Sequence, residues 1–263
     1  MSISKLATGN LVSPASCDFN PNSSVTLTER IIQPIELQVN LQLCKADFRS
    51  DWTAISMGYS ATDTLPPSFS NFLLGHVADK VAQKTEQDIW NGAAATNGSF
   101  AGFKELMLAD AEVTDVGAGA AVTSANVIDK MGLVLDAIPA EIYTSEDMFI
   151  YVSQNVARAY VRALGGFSTI GAAGTDDKGT QWYNGGALSF DGVKLVVANG
   201  LPNNTMVGAE KSNLFFATGL LNDQNSVQVI DMADIDGSQN VRIVMRYTAA
   251  VQYLFGSEIV LYS

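Results

Sequence analysis

From Ile35 to Leu43 apolar and polar residues alternate almost without a fault: Ile35, Leu37, Val39, Leu41 and Leu43 fall on one face of an extended chain, and Glu36, Gln38, Asn40 and Gln42 on the other. A period of two marks a half-buried strand, and Pro34 suits its first position. Val25 to Ile32 alternates in the same way and predicts a second strand just before it. Residues 1–24 are polar and rich in turn formers (Gly9-Asn10, Ser13-Pro14, Asn20-Pro21). They predict an arm or exposed loop.

The period then changes. Phe69, Leu73, Val77 and Val81 recur at every fourth position, with Phe72 and Ile89 on or beside the stripe. Pro66-Pro67-Ser68 supplies a start and Asn91-Gly92 a stop. A helix of about two dozen residues spans roughly 35 Å and would act as a spine. Residues 92–122 are small and loose. A second helix is predicted from a cap at Thr123 or Ser124, burying Val127, Met131, Val134 or Leu135, and Ile138 ahead of Pro139. Met148–Val152 reads as a buried strand, and Ser153 as the cap of a third helix carrying Val156, Tyr160, Val161 and Leu164, ended by Gly165-Gly166. The last third is β-rich, with strands expected at 187–190, 193–197, 213–217, 227–230 and 241–247, and the chain closes on Glu258–Tyr262. Helices and strands in this order predict an α+β fold. No internal repeat is visible.

Composition narrows the function. Of 263 residues only 16% are charged, against 47% hydrophobic. Charge is depleted in the cores of interfaces, so the deficit suits a surface held against neighbours. The net charge is −12, with 15 basic and 27 acidic residues. The bases are scattered singly (Lys45, Lys80, Lys84, Arg158, Arg162, Lys178, Lys194), which excludes a clustered grip on phosphate. No apolar run reaches the roughly 20 residues of a membrane span, and the first residues hold no signal-peptide core. Cys17 and Cys44 are too few for a disulfide framework and read as two free thiols, with room for a pair after oxidation.

Candidate chemistry is sparse. His76 is the single histidine, so a paired-histidine zinc motif is excluded, and Cys17 with Cys44 lack ligand spacing. Any Ser-His-Asp device would need His76, which sits mid-helix beside Val77 and reads as a partly buried structural residue. The glycine clusters match no phosphate-binding spacing. The run Asp231 to Gly237 resembles a calcium loop only loosely, lacking the first ligand in register and the closing glutamate, and reads as a solvated turn. Glu146-Asp147 and Asp176-Asp177 are adjacent carboxylates in loops, and sequence neighbours do not face each other across a substrate. A hydrolase built on two well-placed acids remains open by residue type.

The organisation resembles the tailed-bacteriophage major capsid proteins of the Hong Kong ninety-seven-type fold. The spine helix ends in Glu86-Gln87-Asp88-Ile89-Trp90-Asn91-Gly92, followed by a loose loop and Ala101-Gly102-Phe103. Asn126 to Pro139 is similar to the family's first axial-domain helix, and 148–160 to its strand, polar cap and second helix. Phe190 to Pro202, Asn213 to Gly219 and Val241 to Tyr262 follow in the family's order. The stretch ahead of the spine is short, so the usual N-arm and the outgoing half of the extended loop are expected to be reduced or absent.

The resemblance implies three parts: an N-terminal arm and extended loop (1–34), a peripheral domain (35–119 plus 238–263, with the spine helix at 67–90) and an axial domain (120–237). It implies a structural protein and not an enzyme, with no catalytic, metal or cofactor residues. Copies would assemble as hexamers and pentamers into an icosahedral shell around double-stranded DNA, without sequence-specific binding and away from membranes. Portal, scaffold or decoration proteins would be partners; the place would be the virion, assembled in bacterial cytoplasm. The alternatives are an encapsulin-type nanocompartment shell of the same fold and, from another class, a carboxylate-dependent enzyme.

Overall fold

The computed structural model describes residues 2–8, 12, 14–15, 17, 25–44, 67–117, 121–164, 188–219 and 227–263. Its mixed helices and sheets form the α+β fold expected from sequence. Strands β1 (Ser2–Thr8) and β2 (Val25–Ile31) pair antiparallel as a two-stranded hairpin, with Ser2 opposite Ile31 and Thr8 opposite Val25. This corrects the reading of residues 1–24 as arm or loop alone: Ser2–Thr8 is a strand paired along its whole length with β2. The arm reading otherwise falls largely outside the described residues.

A small sheet follows. β3 (Ile35–Cys44) pairs antiparallel with the first part of β11 (Asn240–Tyr253), which also carries β10 (Val227–Asp231) on its other side. The far end of β11 pairs with β9 (Leu214–Ala217). The alternation in β3 holds, with Leu37 buried, but Ile35 and Leu41 of the same face stay exposed. Helix α1 (Pro67–Asn91) lies against this sheet. Leu73 and Val77 pack on Ile243, flanked by Val39, Leu43 and Val229. The side chains of Phe69 and Phe72 lie outside the described positions. Trp90, near the end of α1, stacks on Phe103 and Tyr151 at centroid distances of 5.4 and 5.0 Å.

The larger sheet has six strands in the order β4 (Thr114–Asp115), β12 (Val260–Tyr262), β8 (Met206–Glu210), β5 (Met148–Val152), β7 (Val193–Val197) and β6 (Leu188–Phe190). Its period of two divides the interior. Met206, Ile150, Val152, Val260 and Tyr262 face one core, where α3 (Val127–Asp136) and α5 (Gln154–Ala163) bring Met131, Val134, Val156 and Tyr160. Val207, Ala209 and Leu261 face the other core, with Trp90, Phe100, Phe103 and Tyr253. The central strands β12, β8 and β5 are therefore covered on both sides, which locks their register because a slip by one residue would exchange the two cores.

Several expectations change. Residues 92–122 are not uniformly loose: α2 (Phe103–Ala109) buries Phe103 and Met107, and β4 follows. Gly92 and Gly102 let the chain turn tightly there; a Cβ on Gly92 would lie 2.3 Å from the Phe100 carbonyl oxygen. α3 starts at Val127 after Asn126, whose Oδ1 accepts the Thr123 N–H at 2.7 Å, so the cap lies later than Thr123 or Ser124. Ser153 is the cap residue of α5, but its hydroxyl donates to Asn155 Oδ1 at 2.7 Å and accepts no N–H of the first turn, and Leu164 is exposed. The Gly165-Gly166 stop lies outside the described residues. α4 (Ala140–Tyr143) and α6 (Ala233–Asp236) are single turns. β10 pairs with β11, and β12 enters the six-stranded sheet, so both cross the boundaries drawn from sequence between the two domains.

Candidate functional site

The strand register sets two cations on one face of the hairpin. Arg30 stands opposite Ile3, and Lys5 lies one pair away on the same face. The other face carries Leu6 opposite Leu27, with Ile31 beyond; these three are 57%, 71% and 60% exposed. The cationic face rests on an acidic shelf formed where α2 ends. Arg30 donates to Asp110 Oδ2 at 2.6 Å and to Glu112 Oε2 at 3.3 Å, and Lys5 donates to Glu112 Oε2 at 3.3 Å. The guanidinium also lies 4.6 Å over the Tyr253 ring, and the Lys5 ammonium 5.2 Å over Phe255.

Tyr253 completes the arrangement from beneath. It is fully buried at the end of β11, and its hydroxyl lies 2.8 Å from Asp110 Oδ2 and 3.2 Å from the Leu106 carbonyl. Asp110 Oδ1 accepts the Glu112 N–H at 2.9 Å, which fixes the turn carrying both acids. Burial alone would push the Asp110 carboxyl up. The Glu112 amide, Arg30 and Tyr253 outweigh it, and the carboxyl lies below its usual range. Burial and then the bond to Asp110 hold the Tyr253 phenol far above its usual value. Glu258 is pushed up by burial and by Glu210, with Lys5 opposing. Gly256 is required beside this group: a Cβ there would lie 2.9 Å from Asp110 Oδ2 and from Glu112 Cβ.

In this arrangement two cations fasten the hairpin to the body, and Leu6, Leu27 and Ile31 lie exposed on its opposite face. An isolated two-stranded hairpin is marginal in water, so the shelf contributes much of its order. A shallow groove of about 370 Å³ runs between α1, β9 and β11, lined by Val81, Ile89, Phe216, Met245 and Tyr247. A wider recess of about 630 Å³ lies beside Tyr143, Glu146, Asp191 and Lys194.

The residues weighed from sequence are dispersed. His76 is exposed on α1, which corrects its reading as partly buried: it lies one step off the stripe that buries Leu73 and Val77. Cys17 is exposed and Cys44 half-buried, both as free thiols. Asp231 Oδ1 accepts the Ala233 N–H, and Asp236 Oδ1 accepts the Ser238 N–H, so the acidic run caps its own turn. Asp176-Asp177 lies outside the described residues. Among the described residues no cluster of His, Cys, Asp or Glu side chains could hold a metal ion, and no helix is long and apolar enough to cross a membrane. Arg30, Asp110 and Tyr253 went unnoticed in the sequence. They are brought together from positions 80 and 143 residues apart, and no local pattern announces them.

No family model and no curated protein sequence matches the chain. Solved structures do. The chain is similar to the capsid subunit of a native GTA particle, with a TM-score of 0.63 and 14% identity over 99% of this chain and 84% of that one. It is similar to a chain of the satellite phage P4 procapsid, with a TM-score of 0.59 and 9% identity over 100% and 89%. The capsid of cyanophage P-SCSP1u gives a TM-score of 0.59 and 12% identity over 100% and 82%. The chain therefore has the fold of phage capsid subunits, the Hong Kong ninety-seven-type fold, from end to end.

Proposed function

We propose that this chain is a major capsid subunit, many copies of which form a closed icosahedral shell around packaged double-stranded DNA in a virion. The observation that carries the reading is the likeness of essentially the whole chain to capsid subunits of three particles. The exposed apolar side chains of Leu6, Leu27 and Ile31 on the hairpin support it, because burial against a neighbouring copy would favour association. The role is structural and not enzymatic. We assign the hairpin and its link (1–34) to contacts between copies, residues 35–119 with 238–263 to a peripheral domain, and 120–237 to an axial domain, with β10 and β12 crossing between the last two. The net charge of −12 favours DNA that stays mobile against the inner wall. Portal, scaffold or decoration proteins complete the partner set, and assembly takes place in the bacterial host.

The test is direct. Purified protein is examined by light scattering and negative-stain microscopy across salt and protein concentration, with and without a scaffold protein. Closed shells of uniform diameter are expected. A monomer that persists under every condition overturns the reading.

A further inference from the structure

We propose that Asn97 is a site of spontaneous deamidation, selected by the fold from several residues that share its local sequence. In this reaction the backbone nitrogen of the following residue loses its proton to water or hydroxide and attacks the asparagine Cγ. The new N–Cγ bond closes a five-membered succinimide while the Cγ–Nδ2 bond breaks and ammonia leaves. Water then opens the ring at either carbonyl, giving aspartate or isoaspartate. No oxidant or enzyme is needed. The reaction does need an unhindered following residue, usually glycine, whose N–H is free and whose backbone can move.

The described residues hold three Asn-Gly pairs: Asn91-Gly92, Asn97-Gly98 and Asn199-Gly200. Sequence treats them alike, and the structure does not. The Gly92 N–H donates to the Asp88 carbonyl at 2.9 Å as the last bond of α1. Its Cα is also boxed in, since a Cβ there would meet the Phe100 and Asp88 carbonyl oxygens at 2.3 and 2.5 Å. Gly200 is buried against α1, where a Cβ would lie 2.1 Å from the Glu86 carbonyl oxygen. Neither backbone can swing toward its neighbour's side chain without disturbing the spine helix.

Gly98 differs from Gly92 in its N–H and from both glycines in its open surroundings. Both Asn97 and Gly98 are exposed, at the centre of a turn closed by the Ser99 N–H to Thr96 carbonyl bond at 3.2 Å. The Gly98 N–H makes no hydrogen bond to any described residue, its φ is +75°, and nothing approaches within 4 Å of where a Cβ would stand. The product would add a negative charge, and in the isoaspartate form a methylene in the main chain, two residues from Ser99. The Ser99 hydroxyl supports buried Asp88 Oδ1 at 2.9 Å, so the change would reach the spine helix.

One peptide makes the comparison. Trypsin cleaving after Lys84 and Lys104 releases residues 85–104, which hold both Asn91 and Asn97. The purified full-length protein is aged in mildly alkaline buffer at physiological temperature, in parallel with a sample held unfolded in guanidinium. Electron-transfer fragmentation locates aspartate and isoaspartate. In the folded sample conversion at Asn97 exceeds that at Asn91 by about tenfold or more, since Asn91 must await local opening; in the unfolded sample the two rise together. The proposal is overturned if Asn97 keeps its amide while folded, if both convert equally while folded, or if the same difference persists in guanidinium.

Discussion

Tyr253 shows how one residue joins three parts of the chain. Its ring fills the core beside Leu261 and Phe103, its hydroxyl meets Asp110, and the Arg30 guanidinium from the hairpin lies over the ring. Tyr253→Phe keeps the packing and removes the polar contact. It is expected to cost about 1–2 kcal/mol of unfolding free energy in chemical denaturation, because Asp110 loses a buried partner. Asp110 also sets a pH dependence. Its folded pKa lies below the unfolded one, so its contribution is full above the ordinary carboxylate pKa and fades as pH falls through the folded value. Glu258 acts in the opposite sense: its folded pKa is raised, so stability is lost as pH rises from the ordinary value through the folded one. Urea midpoints measured from acid to neutral pH should therefore show a shallower acid limb for Asp110→Asn and a smaller decline toward neutrality for Glu258→Gln.

At the scale of elements, the legible parts of the fold were those with one clean period. β3 and β7 alternate, and α1, α3 and α5 repeat at helical spacing, so their residues announced them. β8 did not: Met206, Val207, Gly208 and Ala209 are all buried, and a strand coated on both faces has no alternation to read. β1 carries Ile3 and Leu6 on opposite faces, and its partner β2 begins only at Val25, so pairing and not pattern defines it. α2 has an apolar pair at helical spacing, Phe103 and Met107, but is only seven residues long and follows a glycine-rich stretch. The shelf under the hairpin was illegible because its members meet only after folding. The spine tolerates no charge on its buried stripe. Val77 is 6% exposed against Leu73 and Ile243, and Val77→Asp is expected to cost about 3 kcal/mol or more, read as a large fall in the thermal midpoint.

For the whole molecule, the hairpin and the body are separable in energy. The two cores lie almost entirely beyond residue 31, with Leu37 the first member of the larger clusters. The hairpin adds charge contacts and exposes its apolar side. Deleting residues 1–24 is therefore expected to leave a subunit that unfolds cooperatively within a few degrees of the full chain, while shell formation is lost or shells become fragile under microscopy. Val77→Asp gives the converse, a subunit that fails before assembly begins. If the truncated chain built shells as robust as the full-length ones, the hairpin would have no part in joining copies.

The place of β12 governs timing during synthesis. It fills the gap between β4 and β8, bonded parallel to one and antiparallel to the other, yet it is made after every other strand of its sheet. Until residues 260–262 leave the ribosome, β4 has no neighbour, β8 keeps one edge open, and both cores lack a wall. A nascent chain thus cannot present finished surfaces to other copies, however many have accumulated nearby. Any chain whose synthesis has not yet passed Tyr262 is therefore still missing one wall of both cores.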